Sequence, residues 1–262
     1  MKNNCALKMY NATRRNKNIG TENQGFSQNN KLKISTPNGT LKSFYERIGK
    51  HEKESKIING HEFLFIIEEL RENCYHSCSV SDLEKIIENI PKEDYGDLKF
   101  IVLRQPKRKE EIISPVWGRL VYSFEYENEY FPAIILDSID LNKKLIWSKK
   151  QSIEDQKEFE RLKGDGHIFT QNKRSFISQL NLEPSRNTQL YRTLLHEFGH
   201  YVHYLEVVER PFENDEDCDA KEIRDDYYSA LPKVEKENFA HQYADRLQKK
   251  LTEEKIIPFN SL

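Results

Sequence analysis

Gln189-Leu190-Tyr191-Arg192-Thr193-Leu194-Leu195-His196-Glu197-Phe198-Gly199-His200-Tyr201 decides how this 262-residue chain is read. Apolar residues recur at Leu190, Leu194, Phe198, Tyr201, Leu205 and Val208, one stripe of an amphipathic helix over residues 189–209. Asn187-Thr188 offers its cap and Pro211 its stop. A neighbouring face presents Thr193, His196, Glu197, His200 and Tyr204. Residues four apart sit one turn apart with Cβ atoms about 5–6 Å from each other. Two imidazoles so placed converge on one metal ion at about 2.0–2.1 Å each. Glu197 lies about 100° further round, beside the pair, where it reaches a water on that ion without occupying the ion. Gly199 costs a helix interior about 1 kcal/mol relative to Ala, so its place beside a ligand points to a close approach.

A catalytic zinc needs a third protein ligand and one open position. Residues 234–251 read as a second helix in which Glu237 is followed at helical spacing by Ala240, Tyr243 and Ala244. The small residues allow tight packing against the first helix, with the Glu237 carboxylate facing the imidazoles. Glu206 and Glu209 lie too far along the histidine helix to bend back. Glu235, the acidic residues 215–219 and Glu222, the latter two in an expected loop, stay open as rivals to Glu237. That acidic stretch is read either as a solvated loop or as a cleft border favouring basic substrates.

The rest of the chain reads as mixed α and β. Residues 60–74 place Phe63, Ile66, Ile67 and Leu70 at helical spacing. Ser81-Asp82 looks like the cap of a short helix carrying Leu83, Ile86, Ile87 and Ile90, stopped by Pro91. Residues 98–103 form a strand candidate, and residues 120–126 and 130–139 a hairpin, with Pro132 at the start of the second arm or on an edge. Residues 145–147 and part of 169–182 suggest further strands, and residues 163–166 a loop. No internal repeat is visible.

Composition narrows the class. The apolar fraction of 37% and aromatic fraction of 11% suit a folded chain dense in surface charge. No apolar run approaches the roughly 20 residues of a membrane helix, and no signal-peptide pattern opens the chain. Four cysteines make no disulfide framework, so a reducing cytoplasm is the expectation. Cys74-x-His76-x-Cys78 shows only three possible ligands and reads as reduced, partly buried thiols. Residues 1–56 hold 12 Lys/Arg against 4 Asp/Glu, a balance of +8, and residues 205–237 hold 5 against 12, a balance of −7. Residues 1–40 read as a disordered basic tail, more simply solubilising than nucleic-acid binding. Residues 41–115 then form an N-terminal α/β lobe or subdomain, and residues 116–262 the catalytic domain.

His196-Glu197-Phe198-Gly199-His200 followed by Glu237-x-x-Ala240-x-x-Tyr243-Ala244 resembles the gluzincin type of zinc metallopeptidase. It looks most like the ImmA/IrrE family, whose second motif reads Glu-x-x-Ala-Asn-x-Phe-Ala. The resemblance covers about residues 187–250. His241 stands where the family has Asn, and residues 201–235 find no match. The resemblance implies an α+β zincin-like fold: a small twisted, mostly antiparallel sheet packed on the active-site helix and the following Glu-bearing helix. It implies zinc held by His196, His200 and Glu237, and a peptide or protein substrate.

In that chemistry the metal acidifies a water, Glu197 takes its proton during attack on a peptide carbonyl, and the proton passes to the leaving amine. Candidates for stabilising the oxyanion are His241, His203, Tyr227 and Tyr228. Two other classes stand beside the peptidase: a zinc-bound regulatory or sensor module with little proteolysis, and a nucleic-acid-binding protein using the basic tail. The intact Glu197 favours the peptidase, because a structural site needs no base.

Overall fold

The computed structural model describes residues 47–108, 110, 116–213 and 218–261. The basic tail and Asp215, Glu216 and Asp217 of the acidic stretch lie outside the described residues.

Strands β1 (His51–Ile58) and β2 (His61–Glu68) form a hairpin closed by Asn59-Gly60, whose φ values of 51° and 77° give the two-residue turn that matches strand twist. The helix expected over residues 60–74 is therefore a strand. Its five consecutive apolar residues line both faces of an inner strand: Phe63 and Phe65 enter the larger core, Leu64 and Ile66 the smaller. Such a run satisfies helical and strand spacing alike.

After the short β3 (Cys74–Tyr75) comes α1 (Val80–Ile87), capped not by Ser81 but by Ser79, whose hydroxyl accepts the Asp82 N–H while Asp82 returns a bond to the Ser79 N–H. The chain continues through β4 (Phe100–Arg104) to the expected hairpin of β5 (Gly118–Tyr126) and β6 (Glu129–Asp137). Pro132 falls in the interior of β6, where the register shifts between Val121 and Phe124 of β5, so its missing N–H interrupts an already irregular stretch of ladder.

The sheet runs β1-β2-β4-β6-β5. Its end pairs are antiparallel, but β2–β4 and β4–β6 are parallel, so the sheet is mixed rather than mostly antiparallel. Long connections, one carrying α1, return the chain to the same end before β4 and β6 pair. Strands from both sides of residue 115 share this sheet. Beyond it, β7 (Ile139–Asp140) pairs with β3, and β8 (Lys144–Ser148), β9 (Thr170–Gln171) and β10 (Ser175–Gln179) form a three-stranded sheet in the order β8-β10-β9. Between β8 and β9, α2 (Ile153–Gly164) opens on a Ser152–Asp155 capping box. The loop expected at residues 163–166 shrinks to the turn after it.

The decisive helical run starts earlier and ends later than expected. Helix α3 (Leu182–Thr188) passes through a wide π-type turn, Gln189–Thr193, into α4 (Leu194–Tyr204). A second wide turn, Leu205–Glu209, leads to α5 (Arg210–Glu213). Asn187-Thr188 thus lies inside the run rather than capping it, and Pro211 follows a wide turn that relaxes the clash with the preceding carbonyls instead of ending the helix. Part of the expected acidic loop is helical: Asp219 and Glu222 belong to α6 (Cys218–Ala230). The chain closes with α7 (Lys233–Glu253).

Residues of α1, α4 and α7 pack with Phe63, Phe65, Ile101, Leu103, Ile134 and Leu136 in the main core on one sheet face. Leu190, Leu194, Phe198, Tyr201, Leu205 and Val208 are all buried, as the stripe requires. No described helix is long and apolar enough to cross a membrane.

Candidate metal centre

Helices α4 and α7 are held in register by backbone contact and by two tyrosines. A Cβ on Gly199 would lie 2.8 Å from both Cα and O of Ala240, closer than real contacts allow. The close approach signalled by that glycine is thus the backbone of α7. Tyr201, on α4, accepts the Asp97 N–H at 2.8 Å, and Tyr243, on α7, donates to Asp94 Oδ2 at 2.9 Å. Both helices are therefore pinned to the segment that leads into β4.

This packing brings three side chains together. Nε2 of His196 lies 3.3 Å, and Nε2 of His200 3.7 Å, from the same Glu237 oxygen, Oε2. One donor atom from each residue falls within 4.8 Å of the others, a grouping able to hold a metal ion. Donors at about 2.0–2.1 Å from a tetrahedral zinc stand about 3.3 Å apart, so the separations and the His-His-Glu donor set fit that ion. Contact with His196 first, and with His200 second, holds the Glu237 carboxyl well below the usual carboxylate range, keeping it an anionic donor. His196 Nδ1 is buried without a hydrogen-bond partner among the described residues, whereas a ligating imidazole commonly donates its second N–H to a neighbour.

Glu197 is 7% exposed, and its Oε2 accepts the backbone N–H of Leu120 at 2.8 Å. Leu120 belongs to β5, the edge strand of the five-stranded sheet. Burial pushes the Glu197 carboxyl upward, opposed by His196, His200 and the Leu120 N–H. This contact was invisible in the sequence, because a backbone donor on an edge strand carries no side-chain signature.

The four oxyanion candidates fall in different places. The His241 ring lies 4.4 Å from that of His196, centroid to centroid. Burial, then the charge of His196 and of Arg161, lowers its pKa to about 4. His203 is buried and stacks on Phe239 at 4.3 Å, facing away into packing. The Tyr228 hydroxyl is 2.9 Å from that of Tyr122 and donates to the His200 carbonyl at 3.3 Å, so it supports the α4 backbone. Tyr227 is 59% exposed. Of the rivals to Glu237, Glu235 points to solvent on α7.

Outside this group, Cys74 and Cys78 are buried free thiols, and His76 Nε2 contacts the Glu68 carbonyl at 3.0 Å. Burial pushes the Cys78 thiol far up, so it is no ready thiolate. Trp117 lies beside His167, and Trp147 stacks on Phe159. Sequence reasoning also passed over Arg161 of α2, whose Nη1 is 3.3 Å from His241 Nε2. The Ser152–Asp155 capping box was the available signal for the helix that carries it. Comparison of the chain with known protein families, with curated proteins and with solved structures finds no match.

Proposed function

We propose that this chain is a zinc-dependent peptidase that hydrolyses peptide bonds with water. One observation carries the reading: Nε2 of His196 and of His200 stand 3.3 and 3.7 Å from one Glu237 oxygen on a second helix, with the Glu197 carboxyl in electrostatic contact with all three. His196, His200 and Glu237 would hold the ion. Zinc, when bound, supplies Lewis acidity to a water and to a substrate carbonyl.

The remaining work falls to the chain. Glu197, raised in pKa by burial, takes the proton of the attacking water and passes it to the leaving nitrogen. Its Oε2 is steadied by the Leu120 N–H, which leaves Oε1 for the water. Because Leu120 lies on an edge strand, an extended peptide laid along β5 passes directly by Glu197. That placement favours a peptide over a small-molecule substrate. His241, whose ring abuts His196, is the best-placed of the four oxyanion candidates.

The test is metal content combined with hydrolysis. Purified protein should bind one zinc per chain and degrade a labelled unfolded protein, and a chelator should stop it reversibly. A chain that takes up no stoichiometric zinc, or that holds zinc and cleaves nothing, would overturn the reading.

A further inference from the structure

Arg161 and Arg192 sit side by side and are treated differently by their surroundings. Arg192 precedes His196 by one turn on the same helical run. Glu158 grips its Nη1 with both oxygens, at 2.8 and 2.9 Å, and Asp165 Oδ2 accepts from its Nε at 2.9 Å. Both neighbouring acids are thereby engaged by Arg192. Arg161 is left with Glu158 Oε2 at 3.7 Å and Nε2 of His241 at 3.3 Å, both from its Nη1. Its Nε and Nη2 meet no acceptor among the described residues, and 27% of the side chain is exposed. Arg192 is closed on two carboxylates, whereas Arg161 keeps two donor groups open.

The position of this open fork matters. One imidazole, that of His241, separates it from His196. The 4.4 Å ring spacing and the 3.3 Å contact in series amount to two or three residues of an extended chain, which advances about 3.3–3.4 Å per residue. Its planar array of donors matches a carboxylate bidentately.

We propose that Arg161 binds a substrate carboxylate within about three residues of the scissile bond, either an acidic side chain or a free chain terminus. The proposal rests on the peptidase reading and adds a substrate class to it. Arg161 is then a specificity residue, and the preference it confers is opposite in sign to one set by an acidic cleft border.

The experiment uses zinc-loaded protein and two peptide series. In one, Glu replaces Gln at each of the three positions on either side of the scissile bond; in the other, a free C-terminal carboxylate replaces the amide. Rates are read as kcat/KM, and binding of the same peptides is measured calorimetrically on Glu197→Gln. Wild type should favour at least one carboxylate peptide over its neutral partner by tenfold or more, and the series that responds tells side chain from chain terminus. Arg161→Ala should bring that ratio to about one, and Arg161→Lys, which keeps charge without the fork, should retain part of it. Equal rates and equal binding for charged and neutral peptides, or a ratio unchanged in Arg161→Ala, overturn the proposal and leave the peptidase standing. Selective binding without any cleavage by wild type overturns the peptidase and leaves the carboxylate site standing. Should Arg161→Ala fail to fold, the wild-type ratios and Arg161→Lys decide the matter.

Discussion

Two polar clusters pack against the same helical run and are built on opposite principles. Around Asp82, every acceptor meets a donor. Its Oδ1 accepts from Arg186 Nη2 at 2.8 Å, and its Oδ2 from Arg186 Nε at 3.2 Å and from the Ser261 hydroxyl at 3.1 Å. Arg186 also reaches the Tyr191 hydroxyl and the Phe259 carbonyl, fastening the C-terminal segment to α1 and α3. Around Glu237, by contrast, two imidazole nitrogens and a carboxylate oxygen converge on one point. Lone pairs brought together in this way repel unless a proton or a cation lies between them. The Asp82 cluster is complete within the chain, whereas the Glu237 cluster is a grouping that could hold a cation.

The largest effect that separates the clusters is catalytic. Glu197→Gln should cut peptide hydrolysis about 10³-fold, within the range a general base supplies, while zinc content stays at one per chain. Hydrolysis within tenfold of wild type would remove Glu197 from the mechanism. Next come paired disruptions read by stability and by metal content. Asp82→Ala, which strands a buried guanidinium, should destabilise by about 3–5 kcal/mol and leave the zinc content of folded protein unchanged. Glu237→Ala should do the reverse: little loss in metal-free protein, but zinc lost. Free zinc at 100 times its Kd should add about 2.7 kcal/mol to wild type and nothing to Glu237→Ala. Equal zinc stabilisation in both would move the site elsewhere.

How much of this was legible in the sequence follows from where the information resides. The His196–His200 spacing, the buried stripe and the β5–β6 hairpin are local patterns, and all three were readable. The helix carrying Glu237 was readable too, because its bounds are set by Pro232 and by its own periodicity. The inner strand β2 was not, since burial on both faces removes the alternation that marks a strand. Asn59-Gly60 was the overlooked signal there. Parallel pairing of β2, β4 and β6 depends on which end of the sheet each connection returns to, and no local pattern encodes that. The Leu120 and Arg161 contacts with the site are likewise long-range consequences of the fold.

A smaller effect sharpens the link between helix packing and the metal group. Gly199→Ala places a methyl 2.8 Å from Ala240 backbone atoms, which cannot swing aside. Overpacking of this kind costs about 1–3 kcal/mol, against a gain in helix propensity of about 1 kcal/mol. A net loss of about 1–2 kcal/mol is expected, with zinc affinity falling as α4 and α7 separate. Gly164→Ala, at the end of α2 with nothing within 4 Å of the new methyl, should gain up to about 1 kcal/mol from helix propensity and leave zinc affinity unchanged. Denaturant melts with a zinc titration on both variants make the comparison. Unchanged zinc affinity in Gly199→Ala would show that the donors tolerate a wider helix spacing.

The smallest effect concerns a third polar group packed against the run, His167, which belongs to neither kind of cluster. It is 3% exposed, with Nε2 3.1 Å from the Thr188 hydroxyl and its ring beside Trp117. Burial lowers its pKa below the ordinary 6.5, with Asp165 opposing and Arg192 reinforcing the shift. As pH falls below about 6.5, the unfolded chain therefore takes up a proton before the folded one does. Stability is full above that pH and declines toward the lower folded pKa, by at most about 1.4 kcal/mol per pH unit for this one group. Urea melts of metal-free protein at pH 7.5 and 5.5 should show a smaller acid loss for His167→Gln than for wild type. The contributions of His76 and His203, also lowered by burial, are common to both proteins and cancel in the difference. An equal loss in the two proteins would mean that His167 is protonated in the fold, with Asp165 outweighing desolvation.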